Sequence, residues 1–306
     1  MAAAPGAGFP VSVSVDCPAK TNLTLHVGPS HKEWGGRHEL DTVYCAISLT
    51  DTVTATRKAP GEGFSLEIAG EHLGDLASSS ADMRRNHAVL ALFAMAKAAG
   101  REPDVALTIE KRIPVGAGLG GGSADAAAAI LALNALWQLD WPVERLREVA
   151  ATLGADMPFC MSGGYAHGTG YGQLIDPIGE GSAKAAELAA RGFTGPLLVG
   201  AYRAQLSTPE VYASFDEVGA GERDRNHLQR AAISLHPRSG RAIACALEAG
   251  ASHAFLSGSG PSVVAFTPDA DVRRAVIAAW SAACCVDRII AAEAPAVPKV
   301  SVTVAR

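Results

Sequence analysis

Residues 113–131 read Ile-Pro-Val-Gly-Ala-Gly-Leu-Gly-Gly-Gly-Ser-Ala-Asp and then run into alanines. Five glycines (116, 118, 120, 121 and 122) fall within seven residues, and Ser123 follows them. Glycine lets a backbone N–H approach an anion closely and tolerates positive φ. A helix that follows such a loop turns its free N–H groups and its positive dipole end back toward it. Loop and helix together make a phosphate cradle. Ser123 can cap that helix and offer its hydroxyl to a phosphate or to Mg²⁺, while Ala124 and alanines 126–129 keep the helix end slim. Other readings compete with a phosphate site. A Walker A loop would need Gly-Lys-Ser/Thr, which is absent. Gly116, Gly118 and Gly121 spell the dinucleotide fingerprint, and Asp140 stands about 20 residues beyond. Its context is wrong, because Pro114 parts strand from loop and Asp140 follows a helix. A loop without a ligand would have to order this much glycine at a large entropic cost.

The elements that must hold this loop read as a mixture. Val11–Val27 combines the alternation VSVSV with NLTLHV, which predicts strand, turn, strand. Further short strands are expected at 45–55 and 64–68, and at 104–109, where Val105, Leu107 and Ile109 alternate. A helix is expected over 86–99, capped by Asn86 and stopped by Gly100. The loop helix should run from about Ser123 to Leu139, and the next from Pro142 to Leu153 with Gly154 as its stop. Downstream come a strand at 197–202 and a loop at Ser207-Thr208-Pro209. A helix near 239–249, strand-turn-strand over 254–266, a helix at 270–284 and an edge strand at 300–305 complete the reading. Irregular spacing of strands and helices suggests α+β rather than a doubly wound sheet. A domain boundary fits the Gly- and Pro-rich stretch 160–196.

Composition bounds the function. The chain has 306 residues, 48% of them apolar and 19% charged, enough for a large core and for two domains of about 150 residues. A net charge of −5 argues against a nucleic-acid binder. No apolar run approaches a membrane span, so no membrane association is expected. The first residues, MAAAPGAGFPVSV, lack a basic n-region and read as a frayed tail rather than a signal peptide. Six cysteines (17, 45, 160, 245, 284, 285) show no zinc or CxxC spacing and read as reduced thiols of a cytoplasmic protein.

Three stretches, in order, resemble one family. Pro114-Val115-Gly116-Ala117-Gly118-Leu119-Gly120-Gly121-Gly122-Ser123 is similar to the ATP loop of the GHMP small-molecule kinases. Pro18-Ala19-Lys20 matches the family's N-terminal motif, and Leu256-Ser257-Gly258-Ser259-Gly260-Pro261 its C-terminal one. The text Pro18 to Val27, Gly36 to Tyr44 and Gly154-Ala155-Asp156-Met157-Pro158-Phe159 is most similar to the branch whose acceptor is 4-diphosphocytidyl-2-C-methyl-D-erythritol. Homoserine and mevalonate kinases are the rivals within the family. A nicotinamide-dependent oxidoreductase and a non-catalytic nucleotide-binding module are the rivals outside it.

The resemblance implies a two-domain α+β fold. An N-terminal ATP-binding domain would occupy 1–165 and a C-terminal substrate-side domain 166–306, with the active-site cleft between them and the last strand packing back on the first domain. It implies ATP and Mg²⁺, a small-molecule acceptor, and a monomer or homodimer. It makes Asp156 the base that accepts the hydroxyl proton, which a carboxylate within hydrogen-bond reach can do; read alone, Asp156 is equally a turn residue or a helix cap. It makes Lys20 the cation that offsets charge on the transferring phosphoryl group; read alone, Lys20 is a snorkelling strand-end lysine. Asn22 shares the strand face of Lys20 and would touch the acceptor. His38 would read the cytosine edge, Tyr212 would form an aromatic wall, and Thr208 would stand beside it. Many relatives carry a tyrosine before this histidine; here Arg37 holds the place, and its guanidinium plane can also stack. The loop Pro114–Ala124, with Asn86 and Lys111 near the adenine, would hold the nucleotide, although Asn86 also reads as a plain N-cap and Lys111 as a strand-end lysine.

Overall fold

The computed structural model describes residues 10–71, 80–221 and 224–305; the N-terminal stretch read as a tail lies outside them up to residue 9. The first sheet starts with two long antiparallel strands, β1 (Pro10–His31) and β2 (Arg37–Arg57). Strand, turn, strand was expected over 11–27, but β1 is continuous. Its register against β2 shifts at Pro18/Ala19 and again at Asn22/Thr24. Those irregularities absorb a proline that cannot donate to a ladder, so Pro18 and the polar Lys20-Thr21-Asn22 look like a turn without making one.

Beyond β1, β2 serves two further partners. Residues 52–57 pair with β4 (Val105–Lys111), and residues 42–45 pair with β5 (Tyr165–Thr169), which continues to β6 (Leu174–Ile178). β3 (Ser65–Gly70) runs parallel to β4. The terminal strand β11 (Lys299–Val304) pairs with β1, so the chain's end returns to its first sheet. The second sheet is antiparallel, in the order β10 (Arg288–Ala294), β7 (Gly195–Ala201), β9 (Val263–Phe266), β8 (His253–Leu256). The fold is α+β.

Helix α1 (His87–Ala99) packs against α2 (Gly121–Leu136), which lies against β1 and β2 of the first sheet. Alanines 124 and 126–129 are fully buried, and a helix apolar on every side belongs inside. Their small side chains let α2 approach the sheet, so the cradle end of the helix sits against the strand that carries Lys20. α3 (Val143–Ala151) and the short α4 (Met157–Cys160) follow, then α5 (Ala183–Ala190). Ser207-Thr208-Pro209, read as a loop, instead opens α6 (Thr208–Val218), where proline fits the first turn. α7 (Gln229–Leu235), α8 (Pro237–Glu248) and α9 (Ala270–Ala283) cover the second sheet around the buried Trp280, whose Nε1 donates to the Ala242 carbonyl at 2.8 Å.

Candidate active site

The register of β1 on β2 sets the first group. Lys20 pairs with Ala46 and Asn22 with Tyr44. Directly opposed residues share a face, so Lys20, Asn22 and Tyr44 project to one side. Lys20 Nζ donates to Asn22 Oδ1 at 3.0 Å and lies 3.2 Å from Asp156 Oδ2. Asn22 Nδ2 donates to Thr42 Oγ1 at 2.7 Å, and Thr42 donates to the Thr24 carbonyl at 2.6 Å. That relay fixes the amide so that its oxygen faces the lysine. Asp156 precedes α4 but makes no side-chain cap bond; its carboxylate turns to Lys20 instead. Tyr44 donates its hydroxyl to Asp156 Oδ1 at 3.0 Å, while its ring stacks on Phe159 with centroids 4.9 Å apart. Burial, with the Asp156 charge, pushes the Tyr44 phenol well above its usual range, so it serves as a donor at neutral pH. Lys20 and Tyr44 are buried while the Asp156 side chain is about a third exposed. The site therefore presents one proton acceptor to the cleft with a cation beside it.

The glycine loop faces this group. α2 begins at Gly121, with Gly120 at the N-cap position and no side-chain cap. Ser123 is thus a first-turn residue rather than the cap, and its hydroxyl is not spent on capping. The Lys20 N–H donates to the Leu119 carbonyl at 2.9 Å, which straps the loop to β1. Gly120 has φ +70°, and a Cβ there would stand 2.8 Å from Lys20 Cγ. Gly118 has φ +76°, and a Cβ there would overlap the Ser257 carbonyl oxygen. The second glycine turn packs against the first: Ser257 Oγ donates to the Gly118 carbonyl at 3.1 Å, and Ser262 N–H to that of Ala117 at 3.3 Å.

Both groups open into one cleft of about 1010 Å³, whose wall also includes Pro114, Val115, Asn86, Lys111, His38, Thr208 and Tyr212. At one end His38 stacks on Tyr212 (centroids 5.2 Å, planes 27° apart). Both nitrogens of His38 are engaged, Nδ1 with the Gly28 carbonyl at 2.9 Å and Nε2 with Asp216 Oδ1 at 3.3 Å. Arg37 lies over Tyr171, its guanidinium carbon 4.8 Å from the ring centroid. A cation stacked on an aromatic therefore occupies this position. Thr208 Oγ1 is 3.0 Å from Ser259 Oγ, linking α6 to the second glycine turn.

At the other end Asn86 caps α1, accepting from Ala88 N–H at 2.9 Å. Lys111 is not an exposed strand-end lysine. It is buried, with its ammonium shared between Asp51 and Asp125, the latter at 2.7 Å; its cationic head turns into the protein although it borders the cleft. Among the described residues, no group of three or more His, Cys, Asp or Glu stands where it could hold a metal ion. The sequence reading gave no role to Tyr44, Asp51 or Asp125. Tyr44 could have been found by pairing it with Asn22 across the β1–β2 hairpin. Asp125 is the one charge within a buried run of alanines, itself an anomaly.

The models of the GHMP kinases N terminal domain and the GHMP kinases C terminal domain match residues 86–164 and 211–285. The chain is 71% identical to the 4-diphosphocytidyl-2-C-methyl-D-erythritol kinase of Bifidobacterium adolescentis, over 95% of both chains. It is 39% identical to the protein of that name from Mycobacterium tuberculosis, over 82% of this chain and 80% of the other. Among solved structures it is similar to a 4-(cytidine 5'-diphospho)-2C-methyl-D-erythritol kinase (TM-score 0.70, 28% identity, 92% of this chain and 99% of that one). It shares its fold with the homoserine kinase of Cytophaga hutchinsonii (TM-score 0.68, 17% identity, 98% and 99% covered).

Proposed function

The chain belongs to the 4-diphosphocytidyl-2-C-methyl-D-erythritol kinases of the GHMP kinase family, and from that premise we propose how its cleft works. It transfers the γ-phosphoryl group of ATP to the 2-hydroxyl of 4-diphosphocytidyl-2-C-methyl-D-erythritol, giving the 2-phosphate and ADP, a step of the non-mevalonate route to isopentenyl diphosphate. One observation carries the reading: Lys20 and Asp156 meet at 3.2 Å in the same cleft as the glycine cradle.

Asp156 accepts the hydroxyl proton. Its two oxygens are fixed by Lys20 and Tyr44, so the carboxylate is held for in-line attack before the substrate arrives. Lys20 offsets charge on the phosphoryl oxygens as they leave ATP. Asn22 holds that ammonium and meets the acceptor. The cradle fits a polyphosphate, since side chains at Gly118 and Gly120 would collide with the loop's own supports. Mg²⁺ would be carried by the phosphates of ATP; Ser123, whose hydroxyl is not spent on capping, would offer it an oxygen, and the ion would supply charge neutralisation at the phosphates. Asn86 and the wall at Lys111 flank the nucleotide. Tyr212, His38 and Thr208 receive the cytidine end, with Arg37 on Tyr171 as its charged margin. The division into 1–165 and 166–306, with the cleft between, and a place in the cytoplasm belong to the same reading. No helix among the described residues is long and apolar enough to cross a membrane.

The test is ADP release with ATP, Mg²⁺ and each of three acceptors. Turnover with the diphosphocytidyl alcohol, and none with homoserine or mevalonate, is expected. Turnover with one of the latter alone would overturn the assignment.

A further inference from the structure

The phosphoryl-transfer reading gives no role to Asn226, a buried side chain just before α7. Its amide is spent on the backbone of the second glycine turn. Nδ2 donates to the Leu256 carbonyl at 3.0 Å and to the Gly258 carbonyl at 2.7 Å, and Oδ1 accepts the Leu228 N–H at 3.0 Å. A flipped amide would set its oxygen against both carbonyls and its NH₂ against an N–H, so its orientation is fixed. β8 is an edge strand of the second sheet, and Asn226 stands in for a neighbouring strand at its last residue. Gln229 completes that pairing, its Oε1 accepting the Leu256 N–H at 3.1 Å. The same segment is tied to the first sheet. The Leu25 N–H donates to the Arg225 carbonyl at 2.7 Å, and the His227 N–H to that of Leu25 at 2.8 Å. Asn226 therefore joins the strand that carries Lys20 and Asn22 to the turn that faces them.

What the turn presents follows from one peptide plane. The Gly258–Ser259 bond is trans, the cis bonds among the described residues being Gly260–Pro261 and Ala294–Pro295. In a trans peptide the N–H points opposite to the C=O. With the Gly258 carbonyl held by buried Asn226, the Ser259 N–H is turned away from that side. Gly258 and Ser259 border the cleft, and Asn226 does not. Among the described residues the Ser259 N–H has no acceptor. A Cβ on Gly258 would stand 3.2 Å from Lys20 Nζ and 3.5 Å from Asn22 Oδ1, while Ser259 Oγ lies 3.0 Å from Thr208 Oγ1. The peptide thus bridges the catalytic lysine and the acceptor wall.

We propose that Asn226 is a positioning residue for the reaction: its hold on the Gly258 carbonyl aims the Ser259 N–H at the phosphoryl group as it reaches the acceptor. The proposal rests on the reading of the cleft as a phosphoryl-transfer site. A donor fixed before charge develops needs no reorganisation when it does. This bond strengthens as the group is transferred, so its loss falls on kcat rather than on KM.

Asn226→Asp keeps the shape and the acceptor for Leu228 but loses both donations. Steady-state kinetics of the full chain, corrected for the folded fraction, should show kcat lower by about tenfold or more, with KM for ATP and for the diphosphocytidyl acceptor close to wild type. Gln229→Leu, which loses the adjoining bond to Leu256, should lower the melting temperature and leave kcat unchanged. If Asn226→Asp also lowers only the melting temperature, or raises KM for the acceptor at unchanged kcat, the proposal is overturned. Should that variant not fold, amide spectra of the labelled wild type decide. The Ser259 amide proton should move further downfield with the 2-phosphate product than with the unphosphorylated acceptor; equal shifts, or none, overturn the proposal. A wild type that does not phosphorylate the diphosphocytidyl alcohol would overturn the reading of the cleft as well.

Discussion

Replacing Asp156 by Asn tests the mechanism with little disturbance to the fold. The carboxylate has Lys20 Nζ at 3.2 Å on one oxygen and the Tyr44 hydroxyl at 3.0 Å on the other. In the variant the amide oxygen can face Lys20, and the NH₂ can face Tyr44. Tyr44 then accepts from the NH₂ and swings its own proton to the Gly172 carbonyl, already 3.3 Å away. Every donor keeps an acceptor, and Lys20 keeps Asn22 Oδ1 at 3.0 Å. The loss is therefore confined to the proton acceptor. General-base catalysis is worth about 10²- to 10⁴-fold, or about 3 to 5 kcal/mol of barrier. Coupled assay of ADP release should show kcat lower by that factor. Calorimetric ATP affinity and the melting temperature should stay close to wild type. Turnover within about threefold of wild type would remove Asp156 as the base and leave it a ligand of Lys20.

Three further outcomes follow from the geometry. Tyr44→Phe keeps the ring on Phe159 but removes one donor from Asp156; a hydrogen bond to a charged group is worth about 1.5–3 kcal/mol, so kcat should fall about tenfold or more with KM for ATP unchanged, and a wild-type kcat would show that Lys20 alone positions the base. Gly118→Ala forces a Cβ into the Ser257 carbonyl at a positive φ, so calorimetry should show ATP affinity lost by at least tenfold in a chain that still melts cooperatively; unchanged affinity would refute the interlock of the two glycine turns. Tyr212→Ala should raise KM for the diphosphocytidyl acceptor by about 1–3 kcal/mol, the size of base–aromatic stacking, and spare KM for ATP; the reverse pattern in steady-state kinetics would move the base pocket away from α6.

What the sequence made legible were features whose physics is local. Gly118 and Gly120 announce positive φ by their identity alone, and Lys20 and Asn22 share a face by strand periodicity alone. That 300–305 makes an edge strand was readable from its alternation. What stayed hidden depended on register and on partners far along the chain. Tyr44 meets Asp156 in a register of β2 on β1 that shifts at three places, and a slip of one residue would turn its ring to the other face. β5 and β6 lie in the Gly- and Pro-rich stretch that reads as a domain boundary, and Ser207-Thr208-Pro209 signals a loop and a helix start equally well. Lys111 could not be separated from a surface lysine because its two carboxylates lie 60 and 14 residues away. That last blind spot is the informative one. Glycine text declares what a loop can hold, but not the charge behind the loop, which is set by Asp51 and Asp125 converging on Lys111 from elsewhere in the chain.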